Sequence, residues 1–99
     1  MLIHQRTFYC KVGHAGQVVR LVKDFKRIAD DLQLPAKAER VYTDVTGKND
    51  QVIWQVELEH MADWEEAGPH IWQHPAFAAW FEQLTTHIEG SESTFFRLQ

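Results

Sequence analysis

The sequence predicts an α+β domain of order β-α-β-β-α-β, and three observations carry that prediction. Residues 2–12, 39–45, 51–59 and 93–98 are rich in β-branched and aromatic side chains, with period-two alternation. Apolar residues recur at helical spacing from Val18 to Leu32 and again between Met61 and Ile88. Gly, Pro and Asn punctuate the intervals between these runs. A four-stranded antiparallel sheet with helices on one face, the ferredoxin-like plan, accommodates this order, with the second helix split. The 99 residues make one domain, 1–99, without repeats, linkers or low-complexity segments.

Each element has its own signal. In "LIHQRTFYCKV" alternation separates Leu2, His4, Arg6, Phe8 and Cys10 from Ile3, Gln5, Thr7 and Tyr9, and Gly13 ends the strand. Val18, Leu21, Val22, Phe25, Ile28, Ala29 and Leu32 then form one apolar stripe of a helix, and Pro35 lies just beyond its end. "ERVYTDV" and "QVIWQVELE" flank "TGKND", a connector that suits an antiparallel hairpin. Met61, Trp64, Ala67 and Ile71 begin a second stripe that Gly68 and Pro69 are expected to break or kink, because proline lacks the ladder donor. Such a break would free Trp72 from the stripe and make residues 66–74 a candidate lid. Pro75 suits the first turn of a further helix through Phe77, Trp80, Phe81, Leu84 and Ile88, with Gly90 as a left-handed cap. "STFFRL" closes the chain as a strand.

Phe95 and Phe96 are adjacent, so in a strand they point to opposite faces of a sheet that has helices for only one. Phe8 and Tyr9, and Ile53 and Trp54, pose the same problem. Burying such a side chain is worth about 1.5 to 3 kcal/mol, so the open face calls for a cover, and a second copy of the chain supplies one. A homodimer is expected.

Composition narrows the functional classes. A net charge of −4 with scattered Lys and Arg offers no basic stripe for a phosphate backbone, which argues against nucleic acid. No apolar run approaches the ~20 residues of a membrane span, and "MLIHQRTFYC" lacks signal-peptide features, so a cytoplasmic location without membrane association is expected. The single cysteine, Cys10, reads as a small buried hydrophobe.

"GPHIWQHPAF" holds two histidines four apart, a spacing that binds metal on an unbroken helix. Pro75 holds His74 toward extended geometry, no Glu follows His70 directly, and no third ligand is near in sequence. The expectation is therefore no metal, with His74 a polar group at the start of a helix and His70 on the surface. No Ser-His-Asp spacing, phosphate-binding Gly-rich loop or paired-carboxylate signature occurs.

"RTFYCKVGHAG" followed by an amphipathic helix, then "VIWQVELEHMADWEEA" and "HPAFAAWFEQL", resembles the NIPSNAP family, within the wider group of dimeric α/β-barrel proteins that includes antibiotic-biosynthesis monooxygenases. The carrying features are Arg6 and Phe8, Gly13, the Asp63-Trp64-Glu65 helix start, and Pro75 with Phe77. The resemblance implies a dimeric barrel in which two sheets face each other and a cavity lies in or beside the barrel. His4 stands where an acidic residue is common. Aligned on Gly13 and Phe77, the positions of the Asn and His used by haem-degrading relatives hold Arg6 and Phe81, which cannot accept as an amide or ligate iron.

These readings lead to a homodimeric protein that binds a small apolar or aromatic molecule, with a cofactor-independent monooxygenase or isomerase as the catalytic form of that idea. His4 would be the proton acceptor and Arg6 the anion stabiliser; Tyr42, Trp54, Gln55 and Trp72 would contact the ligand. No cofactor is required. The alternative is a non-catalytic dimerisation or interaction module. An open apolar cavity with convergent polar groups would separate the two.

Overall fold

The computed structural model describes residues 1–99. In chain order the elements are β1 (Leu2–Cys10), α1 (Ala15–Asp24), α2 (Lys26–Leu32), β2 (Lys37–Thr43), β3 (Gln51–Leu58), α3 (Met61–Gln73), α4 (Phe77–His87) and β4 (Ile88–Arg97). The strands form one antiparallel sheet in the order β2-β3-β1-β4, so the predicted ferredoxin-like architecture is present.

The alternation of β1 sets which side chains meet the helices. Phe8 and Cys10 are buried against Val18, Leu21, Val22, Val52 and Leu84. Ile3, Gln5, Thr7 and Tyr9 therefore point to the other face, where no helix lies. The register carries this division across the sheet: Phe95 lies opposite His4 on the helix side, and Phe96 lies opposite Ile3 on the open side, 47% exposed.

The first helical stripe is nearly continuous. Phe25 separates α1 from α2 in right-handed geometry, its N–H donating to Leu21 and its carbonyl accepting from Ala29, so only a slight bend intervenes. Phe25 and Ile28 enter a second core cluster with Ala67, Ile71 and Phe77. Trp54 and Trp80 pack against both clusters.

The second helical region is split where Pro75 was expected to open a further helix, with no additional break at Gly68 and Pro69. The division falls at residues 74–76, and α3 runs unbroken past both residues to Gln73. The reason lies in the helix's two faces. Ala67 and Ile71 are buried and pin one side to the core, whereas Pro69 is exposed, as is Glu65, whose carbonyl loses its partner and can be hydrated. Trp72 still leaves the stripe, by ordinary helical rotation from Ile71, and is 68% exposed against Phe77 and Phe81. Gly90 is no cap either. It lies within β4 opposite Tyr9 with no left-handed backbone, because β4 begins five residues earlier than expected, at Ile88 rather than Ser93.

At the true break, His74 is extended (φ −64°, ψ 133°), as a residue preceding proline should be. Its Nδ1 accepts the Ala76 N–H at 3.0 Å, and Nε2–H donates to Asp31 at 3.0 Å. Both ring nitrogens are committed to holding α3, α4 and the end of α2 together.

Replacing Pro69 with Ala restores a ladder donor in α3. An interior proline costs about 3 kcal/mol, partly offset by its stiffening of the unfolded chain. Pro69→Ala is therefore expected to raise unfolding free energy by about 1 to 2 kcal/mol in urea titration; an unchanged or lower midpoint would contradict the account of α3.

Candidate functional site

A cavity of about 760 Å³ lies between the helix-facing side of the sheet and the helices. Its floor is His4 and Arg6 of β1 with Trp54 and Val56 of β3; one wall is Phe25, Ala29 and Leu34, and the other is Trp64, Gly68, Ile71, Phe77 and Phe81. The volume falls within the range of small-molecule pockets. The cavity exists because large rings meet edge-on rather than filling the space between sheet and helices. Phe25 packs edge to face on Trp54 at 5.3 Å and tilts on Trp80 at 4.9 Å, while Trp80 Nε1 donates to the Leu21 carbonyl at 2.6 Å.

Of the residues singled out from sequence, His4, Arg6, Trp54 and Trp72 line this cavity. Tyr42 and Gln55 do not. Tyr42 lies opposite Ile53, and Gln55 lies opposite Gln5 and donates to it at 2.7 Å, on the open face of the sheet. The one-residue step from Trp54 to Gln55 puts them on different sides, so the structure brings four of the six together.

His4 is 3% exposed. Its ring stacks on Phe95 at 4.3 Å and tilts against Trp64 at 4.4 Å, with Nε2 2.8 Å from Ser93 Oγ. Burial, followed by the repulsion of neighbouring Arg6, pulls its pKa from 6.5 down to about 4, so it is a neutral imidazole at pH 7. Burial also lowers the pKa of Arg6, although a guanidinium keeps its charge near neutrality.

Arg6 takes part in none of the protein's ion pairs, and its Nε is buried without an acceptor. Its one cation partner is the Phe8 ring, 5.7 Å from the guanidinium carbon. Trp54 Nε1, from the residue directly opposite Arg6 on β3, is likewise buried and unpaired. At the rim, Lys26 pairs with Asp30 at 2.9 Å and Lys37 lies 4.0 Å from Glu59. Arg6 is thus a half-buried cation of the cavity without a counter-charge, with its Nε shut off from water.

Sequence reasoning did not place Phe25, Trp64 and Phe81 in a pocket, since stripe positions read equally as core. Elsewhere the chemistry is quiet. Cys10 is buried, its thiol pushed up to about 11 by burial and then by Asp50 and Asp44. No three His, Cys, Asp or Glu side chains are grouped to hold a metal ion, and His70 is exposed. No helix is long and apolar enough to cross a membrane.

Solved structures share this architecture. A NIPSNAP domain protein from Burkholderia xenovorans superimposes with a TM-score of 0.83 at 16% identity, covering 100% of this chain and 95% of that one. A NIPSNAP family protein from Agrobacterium tumefaciens gives 0.82 at 17% identity, with 99% and 92% covered. An antibiotic biosynthesis monooxygenase gives 0.71 at 14% identity, with 100% and 99% covered. The fold is the one these two groups have in common, as the sequence resemblance implied. No protein-family model and no curated protein matches the sequence.

The state of His4 has a measurable consequence. Its folded pKa lies below its unfolded value, so between pH 6.5 and about 4 the unfolded chain binds more protons and stability falls as pH falls. The full shift amounts to roughly 3 kcal/mol. Proton-detected titration is expected to show His4 neutral down to about pH 4, and His4→Gln is expected to flatten the stability slope in that window; a His4 midpoint near 6.5 would contradict the site as described.

Proposed function

We propose that this protein binds a small, largely apolar aromatic molecule in the cavity between its sheet and helices. The observation that carries this reading is an open, aromatic-walled cavity whose floor includes the polar side chains Arg6 and His4, with the unpaired Trp54 N–H buried beside them. An interaction module would have no use for such a space, since packing it shut would stabilise the fold. Gly68 borders the cavity, and a Cβ there would meet nothing within 4 Å. Gly68→Leu is therefore expected to fold and to weaken binding of flat aromatic ligands, followed by tryptophan fluorescence, at least tenfold. Equal binding by wild type and variant would reject the cavity as the site.

A catalytic reading adds cofactor-independent oxygenation or isomerisation, with His4 accepting a proton and Arg6 stabilising the anion left behind. The fold shared with an antibiotic biosynthesis monooxygenase supports it. A base with a pKa of about 4 is a weak proton acceptor at pH 7, which makes binding the better supported statement.

The same proposal includes a homodimer formed through the open sheet face. Phe96 and Tyr42 are 47% and 43% exposed there, beside half-buried Ile3 and Ile53, and no helix of the chain reaches them. Tyr42 and Gln55 would then serve the interface rather than the ligand. Sedimentation is expected to give a dimer at micromolar concentration and a monomer for Phe96→Glu; a wild-type monomer would refute this part.

A further inference from the structure

We propose that the ligand of the cavity is an aromatic carboxylate, its anionic group seated on Arg6 and the Trp54 N–H and its ring system held among the aromatic walls. The inference rests on the binding function proposed above and specifies the chemistry of what is bound. The two side-chain nitrogens of the floor that are buried without a partner are both donors. Arg6 Nε and Trp54 Nε1 are both buried without acceptors, on residues that face each other across β1 and β3. Indole N–H and guanidinium groups can only donate, so the missing partner must be an acceptor.

Charge narrows the class further. Arg6 is the floor's one cation and no carboxylate reaches it, while Lys26, which borders the cavity, is already paired with Asp30. A planar carboxylate matches the planar fork of a guanidinium and leaves an oxygen lone pair for the indole N–H. The remaining surface specifies the body of the ligand. Phe25, Trp64, Phe77 and Phe81 present ring faces and edges, which favour a flat, rigid π system over a flexible chain. His4 fits this arrangement as a neutral neighbour, which adds no competing charge beside the anion.

The test is calorimetric titration of 2-naphthoate and of its neutral isostere, 2-naphthamide, into wild type, Arg6→Met, Arg6→Lys and Trp54→Phe. A charge-assisted pair on a half-buried guanidinium is expected to favour naphthoate by about 10- to 100-fold in wild type. Arg6→Met should abolish that preference, Arg6→Lys retain part of it, and Trp54→Phe reduce it. Removing a half-buried charge without a counter-charge should also leave the ligand-free Arg6→Met protein at least as thermally stable as wild type. Equal affinity of wild type for acid and amide would overturn the assignment of an anion while leaving the pocket's binding role intact. A preference that survives in Arg6→Met would overturn it by placing the carboxylate elsewhere, and the Arg6→Lys and Trp54→Phe comparisons decide the matter if that variant does not fold. Failure of both naphthalenes to bind wild type would overturn the aromatic carboxylate; the pocket itself falls with it if no other flat aromatic ligand changes the tryptophan fluorescence of wild type.

Discussion

The junction of Phe25, Trp54 and Trp80 is the contact on which the rest of the molecule depends. The apolar interior is two clusters rather than one, the first under α1 and α4, the second among α2, α3 and α4. Trp54 and Trp80 touch both, and Phe25 lies against each of them. The Trp80 N–H to Leu21 bond fixes the indole against α1, so the ring acts as a spacer. Rigid rings meeting at edges hold sheet and helices together while keeping them apart, and the space so created lies directly above Arg6.

That placement sets stability against use. Half-burying a guanidinium without a counter-charge costs free energy, and an apolar residue at that place would avoid the cost. Neutral His4 and unpaired Trp54 Nε1 add to the same floor. Such concentrated polarity within a small domain is what binding sites accept in exchange for preorganised recognition. Around it the support is conventional: His74 clamps the α3–α4 corner, and stacked His4 and Phe95 close the end toward β4.

Much of this was legible in the sequence wherever one local rule governed. Period-two alternation placed His4, Arg6 and Phe8 on one face, the Phe95–Phe96 pair had to divide between faces, and Pro75 forced His74 out of the helix. The rest depended on partners distant in the chain. Pro69 breaks a helix in isolation, but buried Ala67 and Ile71 keep α3 helical through it. Gly90 resembles a cap until pairing with Tyr9 draws it into β4. Tyr42 and Gln55 are polar strand residues like Arg6, and only the register across β3 reveals that they face the other way. Trp64 and Phe81 sit on helical stripes, where a residue lining a cavity and one filling a core share the same spacing.

The strand order β2-β3-β1-β4 also bears on how the chain finds this arrangement. Only β2 and β3 are joined by a short hairpin; β1 lies between two strands that are remote from it in sequence, and the His4–Ser93 hydrogen bond spans 89 positions. Loop-closure entropy must be met before any β1 pairing is rewarded, which places the domain among slower-folding small proteins of high contact order. Until β1 inserts, one edge of β3 is left unpaired, so the strand that bears Arg6 is also the one that closes the open edge of the hairpin.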